Sequence, residues 1–269
     1  MAGTPVLIAS GIDKPQKTEE YCSSESSNSS PCMAPQNDGC FIEAATDHIR
    51  RGAPTDAEHA QGADGESARQ IRLLQEWAAQ AGRLISLDRF KTLQSVSNRT
   101  SEHKVYFDPV WNRAIKQTLP GQFGWAPRLD DGRWTLGIAR PLDYLHRWNL
   151  FNKVFGDDVQ LEGVTITAGP IMIIGENTEP KSAVISQRWH HAADLNHPAP
   201  SQAEISMFLR KLGFQSLPNS FHGWHRTADG IVLLDARPDN FIKTEDGVTA
   251  IDLPMTRAEV GVGGRPLEI

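Results

Sequence analysis

The 269 residues include 33 acidic and 27 basic side chains, a formal charge of −6, with 39% hydrophobic and 22% charged residues. That is enough chain for one medium domain with a tail, or for two small domains. The acidic balance argues against a dedicated nucleic-acid binder, and no apolar run reaches the roughly 18 residues of a membrane span.

The start, Met1-Ala2-Gly3-Thr4-Pro5, has no basic region, and its apolar stretch Val6 to Ala9 is too short for a signal peptide. Residues 1–66 read as a disordered Ser-rich tail, with the low-complexity run Cys22 to Pro31 at its centre. Cys22, Cys32 and Cys40 form an odd set in one polar tract. They match neither a disulfide framework nor a zinc pattern, which predicts free thiols in a reducing compartment and a cytoplasmic protein.

Order is expected from Ser67. Ser67-Ala-Arg-Gln70 has the form of a capping box, Ile71, Leu74, Trp77 and Ala78 share a face, and Gly82 stops the helix. A short helix is expected over Leu87 to Leu93. Lys104 to Phe107 and Arg113 to Lys116 read as two strands joined by the turn Asp108 to Asn112, and Asp130-Asp131-Gly132 as another turn. Leu142, Leu145, Trp148, Phe151 and Phe155 recur at helical spacing, with Gly156 as the stop. Strands follow at Val164 to Thr167, Ile171 to Ile174 and Ala183 to Gln187. A helix capped by Ser201-Gln-Ala-Glu204 buries Ile205, Phe208, Leu209 and Leu212 and ends at Gly213. Three short strands close the chain: Val232 to Leu234, Phe241 to Lys243 and Val248 to Ile251, the last two joined by Glu245-Asp246-Gly247.

The residues that carry chemistry concentrate near the end. An apolar strand delivers Asp235 to a loop holding Arg237, Pro238 and Asn240, and a hairpin returns Asp252 at the end of another apolar strand. Carboxylate and amide oxygens are what Mg²⁺ prefers, which makes Asn240 and Asp252 candidate metal ligands. Asp235 is placed to face a substrate hydroxyl, and Arg237 to offset charge on a transferring phosphoryl group. Taken alone, Asp235 to Asn240 is also a good polar turn. His190, His191, His197, His222 and His225 fit no zinc spacing and are expected on the surface or in packing.

Asp235-Ala-Arg237-Pro-Asp-Asn240 resembles the protein-kinase catalytic loop, Ile251-Asp252-Leu253 its metal-binding element, and Arg113-Ala114-Ile115-Lys116 the strand whose lysine holds nucleotide phosphates. The stretches Ser101 to Phe107 and Leu150 to Asp158 are similar to the polyvalent protein kinase domain of phage and mobile-element proteins. The resemblance implies an α+β, kinase-like bilobal fold. Residues 67–187 would form helices and a β-rich N-lobe, and residues 188–269 an abbreviated C-lobe. It implies ATP and Mg²⁺ as cofactors and phosphotransferase activity, with Lys116 on the phosphates and Asp235 at the acceptor. Gln187 to Trp189 would lie at the adenine, with Trp189 flanking the base. The phosphoacceptor, protein or small molecule, is left open.

Several positions depart from that pattern. The phosphate-covering stretch Ser97 to Ser101 has no glycine, although Arg99 could add charge there. Leu233 and Leu234 stand where His and Arg precede the catalytic acid, and Pro254 replaces a glycine. The acid that should pair with Lys116 is not evident, Asp143 and Asn152 being the candidates on the helix. A pseudokinase that binds nucleotide or a partner without transfer is the alternative, and a scaffold whose tail does the work is a third reading.

Overall fold

The computed structural model describes residues 41–97, 102–166, 181–218, 220 and 222–258. It begins with three helices, α1 (Phe41–Arg51), α2 (Asp56–Ala60) and α3 (Ala63–Gln80). This corrects the expectation of a tail through residue 66; residues 1–40 of that tail lie outside the described residues. Ile42, Ala45 and Ile49 make a one-sided stripe on α1 and are fully buried against the rest of the core. The neighbouring Ser-rich run hides so short a stripe in the composition. Arg69 of α3 donates to the carbonyls of Ile49 (3.1 Å) and Gly52 (2.6 Å), which the end of α1 would otherwise leave unsatisfied.

The expected cap at Ser67 is also corrected, because α3 already runs through it from Ala63. Thr55 and Glu58 form a true capping box at α2. Gln70 instead accepts from the Leu142 amide at 3.0 Å and so ties α3 to the next long helix. Gly82, at φ 65°, ends the turn after α3 as expected.

A six-stranded sheet follows. Its strands are β1 (Leu84–Ser86), β2 (Gln94–Ser97), β3 (His103–Asp108), β4 (Arg113–Thr118) and, later in the chain, β7 (Gln160–Ile166) and β8 (Ala183–Arg188). The spatial order is β1-β7-β8-β4-β3-β2, with β1 parallel to β7 and the remaining pairs antiparallel. A 3₁₀ turn at Leu87–Thr92 replaces the expected helix there and buries Phe90. The hairpin β5 (Trp125–Asp130) and β6 (Arg133–Ile138) was foreshadowed only by its turn. Helix α4 (Pro141–Phe155) matches expectation, ending on Gly156 at φ 66°. The predicted strand Ile171 to Ile174 lies outside the described residues.

The second half holds α5 (Gln202–Lys211), β9 (Gln215–Ser216), β10 (Trp224–Arg226), β11 (Ile231–Leu233), β12 (Phe241–Thr244), β13 (Gly247–Ala250) and β14 (Met255–Arg257). The α5 capping box forms as read, from Ser201 and Glu204. Strands β14-β11-β10-β9 make an antiparallel sheet, and β12-β13 a separate hairpin. One apolar core joins both halves. Leu145, Trp148 and Phe151 of α4 share it with Ile42 and Ile49 of α1, Ile185 of β8, Phe241 of β12 and Leu253. Helix α4 is therefore the strut on which the two halves meet. Among the described residues no helix is long and apolar enough to cross a membrane.

Candidate functional site

Strand β11 is buried along its length, and its continuation carries Asp235 out of the sheet. The Leu234 amide donates to the Pro254 carbonyl (3.0 Å) and the Ala236 amide to the His222 carbonyl (3.0 Å), so the backbone is held on both sides of Asp235. Asp235 itself adopts φ 59°, the left-handed region that Asp tolerates better than most residues but that still stores strain. Asn240, at the end of a 3₁₀ turn, donates its amide to the Asp235 carbonyl (2.8 Å) and to its Oδ2 (3.0 Å). That leaves Asn240 Oδ1 as an acceptor with no partner among the described residues. Arg237 pairs with Asp235 Oδ1 at 2.6 Å and lies 3.4 Å from Asp239. In this arrangement it neutralises the loop's own acids.

The loop is tied to the second acid through the backbone, the Ile251 amide donating to the Asn240 carbonyl at 2.9 Å. Asp252 follows at once. Lys116, on β4, reaches across to the Ile251 carbonyl (2.7 Å) and lies 4.0 Å from Asp252 Oδ2. Its side chain is only 2% exposed and its ammonium sits 4.8 Å from the centre of the Trp148 ring. Sequence-predicted Lys116, Asn240, Asp252 and Asp235 thus form one connected set.

The partner that α4 supplies is a cation. Arg147 is buried and donates to Asp252 Oδ1, to Glu102 Oε1 and, at 3.0 Å, to the Leu253 carbonyl. His103 lies 3.7 Å from Asp252 Oδ2 and bonds the Tyr144 hydroxyl at 3.0 Å. Burial pushes the Asp252 carboxyl up, but Lys116, Arg147 and His103 outweigh it and hold the group well below the usual carboxylate range. Burial lowers Lys116 in turn, with Asp252 opposing it. For Arg147, burial works downward while Glu102 and Asp252 carry the net shift upward.

Neither helix candidate for the lysine's partner serves. Asp143 pairs with Arg128 and caps α4 through the Arg140 amide, while Asn152 stitches the Val159 backbone with two bonds of 2.8 Å. Arg147, Glu102 and His103 were missed by sequence reasoning. The available signal was a cation on the buried stripe Tyr144, Arg147, Phe151, Val154.

The stretch expected to meet a base borders a slot between Ala114, Lys116, Gln187, Trp189, His190, Ile242 and Ile251. Its free volume is about 10 Å³, room for little more than one water. Gln187 turns its amide to Asp157 (2.6 Å), and Trp189 packs on Phe107 with ring centres 4.7 Å apart. The Trp189 amide is taken by the Asn112 carbonyl at 3.1 Å, so this backbone donor, expected to face adenine, is already used. Of the stretch expected to cover phosphates, residues 98–101 lie outside the described residues. His197 pairs with Asp194 (3.0 Å) and His190 lies 3.7 Å from Asp157. The only group of potential metal ligands among the described residues is Glu102, His103 and Asp252, and Arg147 joins two of its three members.

Mg²⁺ finds a divided site here. Asn240 Oδ1 is suited to it, but each Asp252 oxygen already faces a protein cation. The arrangement as it stands does not fit the ion. Compared with family models, curated proteins and solved structures, the chain finds no match.

Proposed function

We propose that the chain is a nucleotide-dependent phosphotransferase of protein-kinase-like architecture. The observation that carries the reading is the connected set itself. A lysine from the central strand of one sheet meets the carbonyl before Asp252, and the amide before Asp252 is bonded to the residue that positions Asp235. The strand order β2-β3-β4-β8-β7, with the β5–β6 hairpin and α4 inserted between β4 and β7 and β1 added at the edge, supports it, since the five strands and the helix resemble the arrangement of a kinase N-lobe. In this reading Asn240 fixes the Asp235 carboxylate, which orients the acceptor hydroxyl and receives its proton. Lys116 faces the nucleotide phosphates, and Arg237, released from Asp235, offsets charge on the transferred group.

A pseudokinase is the second reading, favoured by the Asp252 carboxylate held between Arg147, Lys116 and His103 and by the closed base slot. The deciding experiment incubates purified protein with γ-labelled ATP, with Mg²⁺ or with EDTA, and follows label on the chain, on generic protein acceptors and on small alcohols. The expected result is transfer that falls by about 10²–10⁴ in Asp235→Asn. ATP binding without any transfer would establish the pseudokinase, and absence of ATP binding would remove both readings.

A further inference from the structure

The two faces of strand β4 differ. Lys116 faces α4, whereas its neighbours Ile115 and Gln117 face the opposite side of the sheet, as alternation requires. On that outer side lies a cavity of about 640 Å³, lined by Phe90, Lys104, Tyr106, Gln117, Lys181 and Ser182 among others. It is the size of an ordinary small-molecule site.

Three lysines line it, Lys91, Lys104 and Lys181, and no acid does among the described residues. Lys91 is paired with Asp88 at the exposed rim. Lys181 is different: the residue is only 9% exposed, and it lines the cavity from the start of the β8 segment. Gln117 is also buried and lines the cavity, with its amide unpaired among the described residues. One wall is aromatic, Phe90 and Tyr106 having ring centres 5.2 Å apart. Burial pushes the Tyr106 phenol up, in keeping with its place in that wall.

We propose that this outer-face cavity is a second ligand site, for a phosphate-bearing small molecule of nucleotide size. Lys181 and Lys104 hold the phosphate as point charges, and the Phe90–Tyr106 wall takes the flat apolar part. The inference does not depend on the phosphotransferase reading, because the site shares no residue with the Lys116 cluster.

The test uses AMP as the probe and adenosine as its uncharged counterpart, by equilibrium dialysis with EDTA present. AMP should bind at least about tenfold more tightly than adenosine, and Lys181→Met and Lys104→Glu should each weaken AMP by about tenfold or more. Lys104 is exposed, so its variant reports even if Lys181→Met fails to fold. Photolabelling with an azido-AMP should mark peptides carrying Phe90 or Tyr106. Equal affinity for adenosine, unchanged AMP binding in both folded variants, or label confined to peptides carrying Trp189 or Ile242 would each overturn the proposal.

Discussion

Asp235 and Asp252 expose nearly the same fraction of their side chains, 28% and 26%, and end strands in the same half of the chain. What separates them is company. Asp252 is held by Arg147, with Lys116 and His103 on its other oxygen, whereas Asp235 meets one neutral amide and the half-exposed Arg237. Exposure alone therefore does not tell the two acids apart. A carboxylate saturated by buried cations is a structural tie, whereas Asp235 is held only by an amide and a partly exposed guanidinium.

The sharpest way to break this contrast is Arg147→Met, which keeps volume but leaves Glu102 and Asp252 without their shared cation. Stranding buried charge in this way should cost about 3–5 kcal/mol, read by urea unfolding. A loss below about 1 kcal/mol would mean the network is not a structural tie.

The pH dependence sharpens the same point. Because the folded Asp252 carboxyl titrates below its unfolded value near 4, its stabilisation is complete above about pH 4 and is lost as pH falls toward the folded value. Between about pH 5 and 2 the wild-type Tm should fall more steeply than that of Asp252→Asn. Parallel curves would assign the acid sensitivity elsewhere.

A smaller effect is expected at Gly124. Its φ is +73°, and an added Cβ would stand 1.8 Å from Glu102 Oε1. Gly124→Ala must displace Glu102 from Arg147 and should cost about 1–3 kcal/mol in chemical denaturation. No change would show that Glu102 contributes little to the tie.

The smallest effect belongs to Asp235. Asn also tolerates left-handed backbone and can accept from Asn240, so Asp235→Asn should shift stability by less than about 0.5 kcal/mol, whereas Asp235→Val should cost about 1–2 kcal/mol. A large loss in Asp235→Asn would make this acid structural too.

The sequence showed α4 and α5 clearly, because each joins an apolar period of helical spacing to a terminal signal, Gly156 or the Ser201–Glu204 box. Strands β3 and β4 were legible from their β-branched and aromatic residues around a turn closed by Asp108, which accepts from the Val110 amide at 3.0 Å. Helix α1 was not, since five apolar residues beside a long polar tract do not shift the composition. That Lys116, Asp235, Asn240 and Asp252 come together was legible from the order in which they resemble a kinase's motifs. The Arg147 tie was not, because Glu102, Arg147 and Asp252 come from three distant segments and only the fold brings them together. The narrowness of the slot beside Trp189 was equally hidden, as it depends on how Trp189 and Ile242 pack.

The burial of α1 also bears on how the chain is made. Its stripe of Ile42, Ala45 and Ile49 is completed by α4 and β7, which are synthesised about a hundred residues later, at least about 5 s on a translating ribosome. During that interval the stripe is bare, and α3 alone can shelter part of it. Newly made chains should therefore be most open to chaperone capture before Phe155 emerges, and a stalled chain ending before α4 should aggregate where one ending after β8 does not.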